Sequence, residues 1–239
     1  IKGTVPEGLR GWVYESLMMR SGDETFSLYG LLADSLDVAE DRSAVTFNLR
    51  PEARFSDGEP LKPEDVLFPF TTLRDKGVPF FRSFYKKVAT AEKVGPRAVR
   101  FTFTSAGDRE IPMIMGLMPV LPSHKFTPES FERTTLEPPV GSGPYRITTV
   151  DPGRALVYAR NPDWWGKDLA VARGRFNFDE IRLEFARDAT TLFEAFKAGQ
   201  IDVRAEDDPG RWAEGYRIPP VDDGRIVRRE LDVRLPAAL

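Results

Sequence analysis

Residues 45–66 constrain the fold more than any other segment, because they predict a strand, a tight turn and a helix start in that order. Apolar and polar residues alternate from Val45 to Arg50, which is the period-two pattern of a half-buried strand. Asp57-Gly58 favours a turn, since glycine tolerates positive φ. Pro63 suits the first helical position, where its missing N–H costs nothing. The segment therefore predicts a strand that a tight turn connects to the start of a helix.

The remaining elements follow from the same periodicities. Alternation predicts further strands at residues 99–103, 155–159, 181–185 and 201–203. Helical spacing predicts one helix at residues 11–19. It also continues the helix that starts at Pro63 through residues 66–73, and Pro69 should kink or end this helix near its first turns. The strand–helix–strand order predicts a mixed α/β domain.

A third helix is predicted in the last quarter of the chain. Thr191 and Glu194 have the spacing of a capping box. Gly199 stands where a glycine commonly ends a helix.

Composition excludes several classes of protein. The chain has 239 residues, enough for one large domain or two small ones, and its net charge of −3 offers no basic surface for nucleic acid. No apolar run approaches the roughly 18–20 residues that a membrane-spanning helix needs. The absence of cysteine excludes disulfides and thiolate metal sites.

The polar residues do not form a recognisable catalytic or metal-binding pattern. His124 is the only histidine, and we expect it to be a surface or turn residue, because a triad or metal site needs partners at matching spacing. The acidic run of residues 206–208 is expected to be a solvated face. The glycines of residues 141–144 predict a turn and lack the pattern of a phosphate-binding loop. The sequence therefore predicts no enzyme, no metal and no cofactor.

Several motifs share their order and spacing with a known family. The first motif is TFNLRP at residues 46–51, followed by FSDGEPL at 55–61 and PEDV at 63–66. The others are LADS at 32–35, GSGPY at 141–145, NPDWWG at 161–166 and AFKAGQID at 195–202. Together they span nearly the whole chain and resemble the bacterial extracellular solute-binding proteins of family 5, the peptide receptors of ABC importers. Residues 108–112 and 136–139 further resemble the oligopeptide-receptor branch that includes the receptor exploited by microcin C.

The resemblance implies the fold and its division. It implies an α/β fold of the type II periplasmic-binding-protein class, with mixed β-sheets flanked by helices. Domain I would comprise residues 1–20 and 139–239 and would be incomplete, domain II would comprise residues 21–138, and domain III would be missing. The chain carries no signal peptide, so we expect a mature protein, truncated at both ends.

The resemblance also implies three ligand-contacting stretches. They are Lys2, Gly3, Thr4 and Val5; Phe80, Phe81 and Phe84; and Arg204, Ala205 and Glu206. From the residues alone, the aromatic cluster of residues 79–85 is expected to be core packing. Two positions depart from the family, since Lys2 replaces an acidic residue and Ala205 an aromatic one.

The implied function is capture of oligopeptides or peptide-like compounds in the periplasm, or at the cell surface as a lipoprotein, and delivery to an inner-membrane ABC permease, with the receptor a monomer. Three alternatives stay open: a receptor for a nickel chelate, an oligosaccharide or an opine; a sensory or chaperone-like protein on the same fold; and a hydrolase, which the lack of a catalytic pattern disfavours.

Overall fold

The computed structural model describes residues 6–24, 26–127, 129–133 and 135–230. The strands are β1 Met18–Arg20, β2 Leu28–Gly30, β3 Ala33–Val38, β4 Ala44–Leu49, β5 Val88–Gly95, β6 Ala98–Phe103, β7 Tyr145–Asp151, β8 Ala155–Arg160 and β9 Glu180–Glu184. The α-helices are α1 Pro63–Lys76, α2 Pro79–Tyr85, α3 Ile111–Gly116, α4 Ala189–Lys197 and α5 Pro219–Asp222. In this part of the chain, no helix is both long enough and apolar enough to cross a membrane.

The strands form three separate sheets. The first is the β1–β2 hairpin, the second has the order β3-β4-β6-β5, and the third has the order β7-β8-β9. Every neighbouring pair in the four-stranded sheet is antiparallel. The predicted strands at residues 45–50, 99–103, 155–159 and 181–185 are thereby confirmed.

The main hydrophobic core lies between the four-stranded sheet and α1. Phe47 of β4 and Phe101 of β6 are fully buried, and their rings lie 6.2 Å apart. Phe70 of α1 places its ring 5.4 Å from that of Phe101. The alternation that predicted β4 and β6 therefore marks the residues that build this core.

Helix α1 starts at Pro63, as predicted, and the turn before it is also confirmed, with Gly58 at φ +92°. Of the two outcomes predicted at Pro69, an end to the helix near its first turns is wrong, because α1 runs through Pro69 to Lys76, 14 residues in all. The kink stays a prediction. Proline removes the hydrogen bond to the carbonyl four residues earlier, here that of Asp65. The N–H of Leu121 donates to this carbonyl at 3.2 Å, so the freed acceptor is satisfied from outside the helix.

The side chain of Asp65 joins the start of α1 to the segment of Ser123. Its carboxylate is buried and accepts hydrogen bonds from the main-chain N–H of Lys62 at 2.9 Å and of Ser123 at 2.8 Å. The Ser123 hydroxyl donates a third bond at 2.7 Å. An acidic residue in the first turn of the helix thus also fixes a distant segment.

The predicted helix at residues 11–19 is wrong. The segment forms turns and then β1, while Val13 and Leu17 are buried as the apolar spacing required. Its backbone pairs with a distant segment: Gly143 N–H donates to Val13 C=O and Tyr145 N–H to Trp12 C=O, both at 2.9 Å. These bonds use carbonyls that a helix would need for itself.

Two compact units divide the chain. The first contains residues 1–150 and 156–182, and the second contains residues 151–155 and 183–239. The boundaries near residues 20 and 138 separate the family domains I and II that the resemblance implies, not these compact units. They stay a prediction.

In the second unit, two details of the sequence prediction are wrong. Asp188, not Thr191, caps α4, and its carboxylate accepts a hydrogen bond from the Thr191 N–H at 2.8 Å. Residues 201–203 form no strand, because none of their backbone groups finds a backbone partner in the described chain. The predicted stop at Gly199 is confirmed, with φ +74° just beyond the last turn.

Candidate functional site

The first predicted stretch, Lys2, Gly3, Thr4 and Val5, lies outside the described residues. The second and third stretches are described, and they belong to different units.

The aromatic residues of the second stretch come together on the short helix α2. Phe80 and Phe84, one helical turn apart, have ring centroids separated by 4.8 Å, and the rings of Phe80 and Phe81 are 5.5 Å apart. Phe81 and Phe84 are half-buried and pack against the main core, whereas Phe80 is 53% exposed. The expectation of core packing therefore fits the first two residues, and Phe80 is the ring most available to another molecule.

Two cations lie over these rings. The Arg10 guanidinium is 5.9 Å from the centroid of Phe81, and the Lys87 ammonium is 5.7 Å from that of Phe84. Lys87 is also held by Asp108 at 3.0 Å. Cation–π attraction of this kind orients the rings as well as stabilising them.

The charged residues of the third stretch form a closed cluster. The side chains of Arg204 and Glu206 are 7% and 1% exposed and form an ion pair. Arg211 contacts the other oxygen of Glu206 at 3.0 Å, and the Tyr216 hydroxyl lies 2.8 Å from Arg204 and 3.2 Å from Glu206. The expectation that residues 206–208 form a solvated face is therefore wrong at Glu206.

The same contacts keep Glu206 ionised. Burial alone would raise the pKa of Glu206, but hydrogen bonds from Arg204, the Asp208 N–H and Tyr216 outweigh it and lower the pKa to about 2. Both charged side chains are thus committed to each other. What this stretch offers to another molecule is the backbone and the exposed Ala205.

An open cavity of about 810 Å³ lies beside the third stretch, within the second unit. Its lining includes Phe196, residues 202–209, Trp212, Tyr216 and residues 226–230. Residues 202–207 run along it without a backbone hydrogen bond to any other described residue. Unpaired backbone beside an open cavity can accept an extended ligand by main-chain hydrogen bonding.

Sequence reasoning missed the aromatic and basic residues that build this cavity. Trp212 and Tyr216 have ring centroids 5.8 Å apart, and the Arg228 guanidinium stacks 4.1 Å from the centroid of Trp212. The spacing of four between the two aromatics was a helical signal. The position of Arg228 had no local signal, since it depends on the chain returning to Trp212 sixteen residues later.

No catalytic arrangement is visible in the described part of the chain. His124 lies in a turn, as predicted, where its Nε2 is 2.8 Å from Asp57 and its ring is 5.6 Å from that of Phe55. The hydroxyl of Ser123 beside it is bonded to Asp65 instead. Within the same residues, no three metal-binding side chains cluster.

Comparison with known proteins identifies the family. The model described as the middle part of the bacterial extracellular solute-binding proteins, family 5, matches residues 27–231. The chain belongs to this family. The resemblance found in the motifs is thereby confirmed, whereas the microcin C branch stays a prediction.

Two curated relatives of this family 5 chain come from Agrobacterium fabrum. "Peptidoglycan-binding protein YepA" is 47% identical over 235 residues, which cover 95% of this chain and 38% of the relative. "Probable peptide-binding protein YejA" is 40% identical over 237 residues, covering 96% of this chain and 38% of the relative. The chain thus spans less than two fifths of their length.

Solved structures share the fold of this family 5 chain. NikA from Brucella suis, in complex with Fe(III)-EDTA, matches with a TM-score of 0.65 and 26% identity over 80% of this chain and 37% of NikA. The periplasmic binding protein DppA from Helicobacter pylori, in complex with the peptide STSA, matches with a TM-score of 0.70 and 18% identity over 87% of this chain and 43% of DppA. The predicted α/β fold of the periplasmic binding proteins is confirmed.

Proposed function

We propose that this chain is part of a receptor that captures oligopeptides or peptide-like compounds and delivers them to an inner-membrane ABC permease. The observation that carries the proposal is the backbone of residues 202–207 beside the open cavity, which makes no backbone hydrogen bond to another described residue. Main-chain hydrogen bonds to a peptide backbone give affinity without requiring particular side chains. The name of YejA, a probable peptide-binding protein, supports the same ligand class.

The side chains around the cavity have distinct proposed roles. Arg204 and Glu206 hold the stretch in place through their ion pair, and the ligand contacts the backbone of Ala205 and its neighbours. Trp212 presents a ring to the cavity. Phe80, Phe81 and Phe84, together with Lys2, Gly3, Thr4 and Val5, form the other proposed ligand contacts.

The setting of the receptor is also a proposal. It would act in the periplasm, or at the cell surface as a lipoprotein, as a monomer that uses no metal, no cofactor and no nucleic acid. Its domain I would comprise residues 1–20 and 139–239, its domain II residues 21–138, and a third domain would close over the ligand.

A second candidate ligand is a peptidoglycan fragment, because the relative with 47% identity is named a peptidoglycan-binding protein. Such a fragment contains a short peptide, so the same backbone contacts would serve. The fold does not choose between ligands, since NikA was solved with a metal chelate.

Native mass spectrometry of the full-length protein from its own source tests the proposal. A ladder of peptide masses released on denaturation supports an oligopeptide receptor and shows the preferred ligand length. Masses that combine amino sugars with a short peptide support the second candidate. One discrete mass without amino acids contradicts both.

A further inference from the structure

The interior of the first unit contains a carboxyl group that has no counter-charge among the described residues. Glu15 is 1% exposed and lies outside the proposed ligand contacts. One of its oxygens, Oε2, accepts a hydrogen bond from the Trp165 indole N–H at 3.1 Å, and the same N–H is shared with the Ser142 carbonyl at 2.9 Å. The other oxygen, Oε1, has no hydrogen-bond partner.

Two further unpartnered polar atoms are buried in the same region. The Ser142 hydroxyl and the Trp164 indole nitrogen are inaccessible to solvent and make no hydrogen bond. Both side chains nevertheless lower the pKa of the Glu15 carboxyl group, so they lie close to it. Three segments far apart in sequence thus place buried polar atoms without hydrogen bonds near one another. Each buried polar atom without a partner costs free energy of folding.

We propose that Glu15 is a proton-dependent latch. In its protonated form the carboxyl group is accommodated without charge among the segments of Ser142 and of Trp164 and Trp165, and loss of the proton destabilises their packing by leaving a buried charge. The proton sits on Oε1, the oxygen that accepts no hydrogen bond, while Oε2 continues to accept from the Trp165 indole N–H.

The surroundings favour the neutral acid. Burial raises the pKa of Glu15 to about 8, and the polar groups of Ser142, Trp165 and Trp164, which favour the ionised form, offset only part of this effect. Without a neighbouring cation, an ionised carboxylate at this depth would be poorly compensated.

Other titratable groups on the packed segments do not compete for this role. Tyr14 adjoins Glu15 and Tyr145 follows Ser142, and burial raises the pKa of both hydroxyls, so they stay neutral. Asp163 and Lys167 flank the tryptophans and are exposed. Residues 119–121, which pair with the Glu15 backbone, carry no titratable side chain.

The decisive experiment compares the full-length protein with its Glu15→Gln variant by urea unfolding from pH 5 to pH 9. A raised pKa means that the folded state keeps a proton that the unfolded state loses, so stability falls as pH rises between the unfolded value of 4.5 and about 8. The unfolding equilibrium constant of the unmodified protein should increase by up to about tenfold per pH unit relative to the variant. Glu40→Gln, at an exposed turn, is the matched control and should run parallel to the unmodified protein.

A second measurement does not depend on how well the variant folds. Infrared difference spectra of the native protein between pH 6 and pH 9 should show loss of one protonated carboxyl group, with a midpoint near pH 8. No such signal would show that Glu15 is ionised and held by three neutral donors, which would overturn the proposal. A difference in the free energy of unfolding between Glu15→Gln and the unmodified protein that does not change with pH would also overturn the proposal.

Discussion

At the scale of single residues, exposure separates the three phenylalanines of α2. Phe80 is 53% exposed, whereas Phe81 and Phe84 pack against the main core. A residue that contacts ligand and not the core can be removed without loss of stability. The three positions can therefore be distinguished by measuring binding and stability on the same variants.

We expect Phe80→Ala in the full-length protein to weaken ligand binding by about tenfold with little change in stability. Tenfold corresponds to about 1.4 kcal/mol, the free energy of about one aromatic contact. Phe81→Ala should lower the free energy of unfolding by about 2–4 kcal/mol, because it removes packing from the core. Calorimetric titration and urea unfolding measure the two effects.

Phe178→Ala is the control for Phe80→Ala, since Phe178 is 70% exposed and lies outside the proposed contacts. Phe178→Ala should change neither the ligand affinity nor the free energy of unfolding. Unchanged affinity in Phe80→Ala would remove Phe80 from the binding site.

The ion pair of Glu206 leads to a pH-dependent prediction. Its lowered pKa means that the pair contributes stability above about pH 4.5, the unfolded value, and loses it as pH falls toward about 2. Glu206→Gln leaves Arg204 buried without its charge partner, so we expect a loss of about 3–5 kcal/mol at pH 7 that shrinks on acidification. Urea midpoints at pH 7, 4.5 and 3 measure it.

Asp207→Asn is the matched control, because Asp207 is the exposed neighbour in the same acidic run. Its midpoints should follow those of the unmodified protein. A loss in Glu206→Gln that is equally large at pH 7 and pH 3 would contradict the role assigned to the ionised pair.

At the scale of elements, close backbone approach explains the glycines of the GSGPY motif. A Cβ atom at Gly143 would lie 2.2 Å from the Trp12 carbonyl oxygen, and one at Gly141 would lie 2.1 Å from that of Val13. Both distances are far below van der Waals contact. The motif is therefore required by the pairing of two backbone segments in the first unit.

Gly143→Ala should destabilise the first unit by about 1–3 kcal/mol, because the added methyl group forces the two backbones apart. Thermal unfolding followed by tryptophan fluorescence measures the change. Gly22→Ala is the control, since a Cβ there would meet only the flexible end of Arg175 at 3.3 Å. Equal stability of both variants would contradict the close-approach explanation.

At the scale of the whole molecule, the proposed binding surface is open. The cavity is lined by residues of the second unit, and the chain spans 38% of the length of YepA and YejA. Affinity in two-lobed receptors depends on enclosing the ligand from water. The described residues therefore provide part of the contacts that the proposed function requires.

We expect residues 1–239 expressed alone to bind peptide more weakly than micromolar, although they retain the fold. Calorimetric titration with the peptides released from the full-length protein measures this directly. Micromolar or tighter binding by the isolated chain would show that one surface suffices and that enclosure adds little.

Local patterns predicted the elements that local physics controls. The alternation of residues 45–50 and 99–103 placed β4 and β6, Asp57-Gly58 placed the turn, and Pro63 placed the start of α1. Gly199 marked the end of α4. In each case the determining interaction lies within a few residues of the signal, so the sequence contains it.

The sequence by itself determined the family, the α/β class and these local elements. Only the tertiary structure decided that α1 passes through Pro69, because the Leu121 N–H satisfies the freed Asp65 carbonyl. Distant backbone partners likewise turned residues 11–19 from a predicted helix into turns and β1. The burial of Glu206 by Arg204, Arg211 and Tyr216 could not be seen in an acidic run. In all three cases, the free energy depends on a hydrogen-bond or charge partner that a local pattern does not specify.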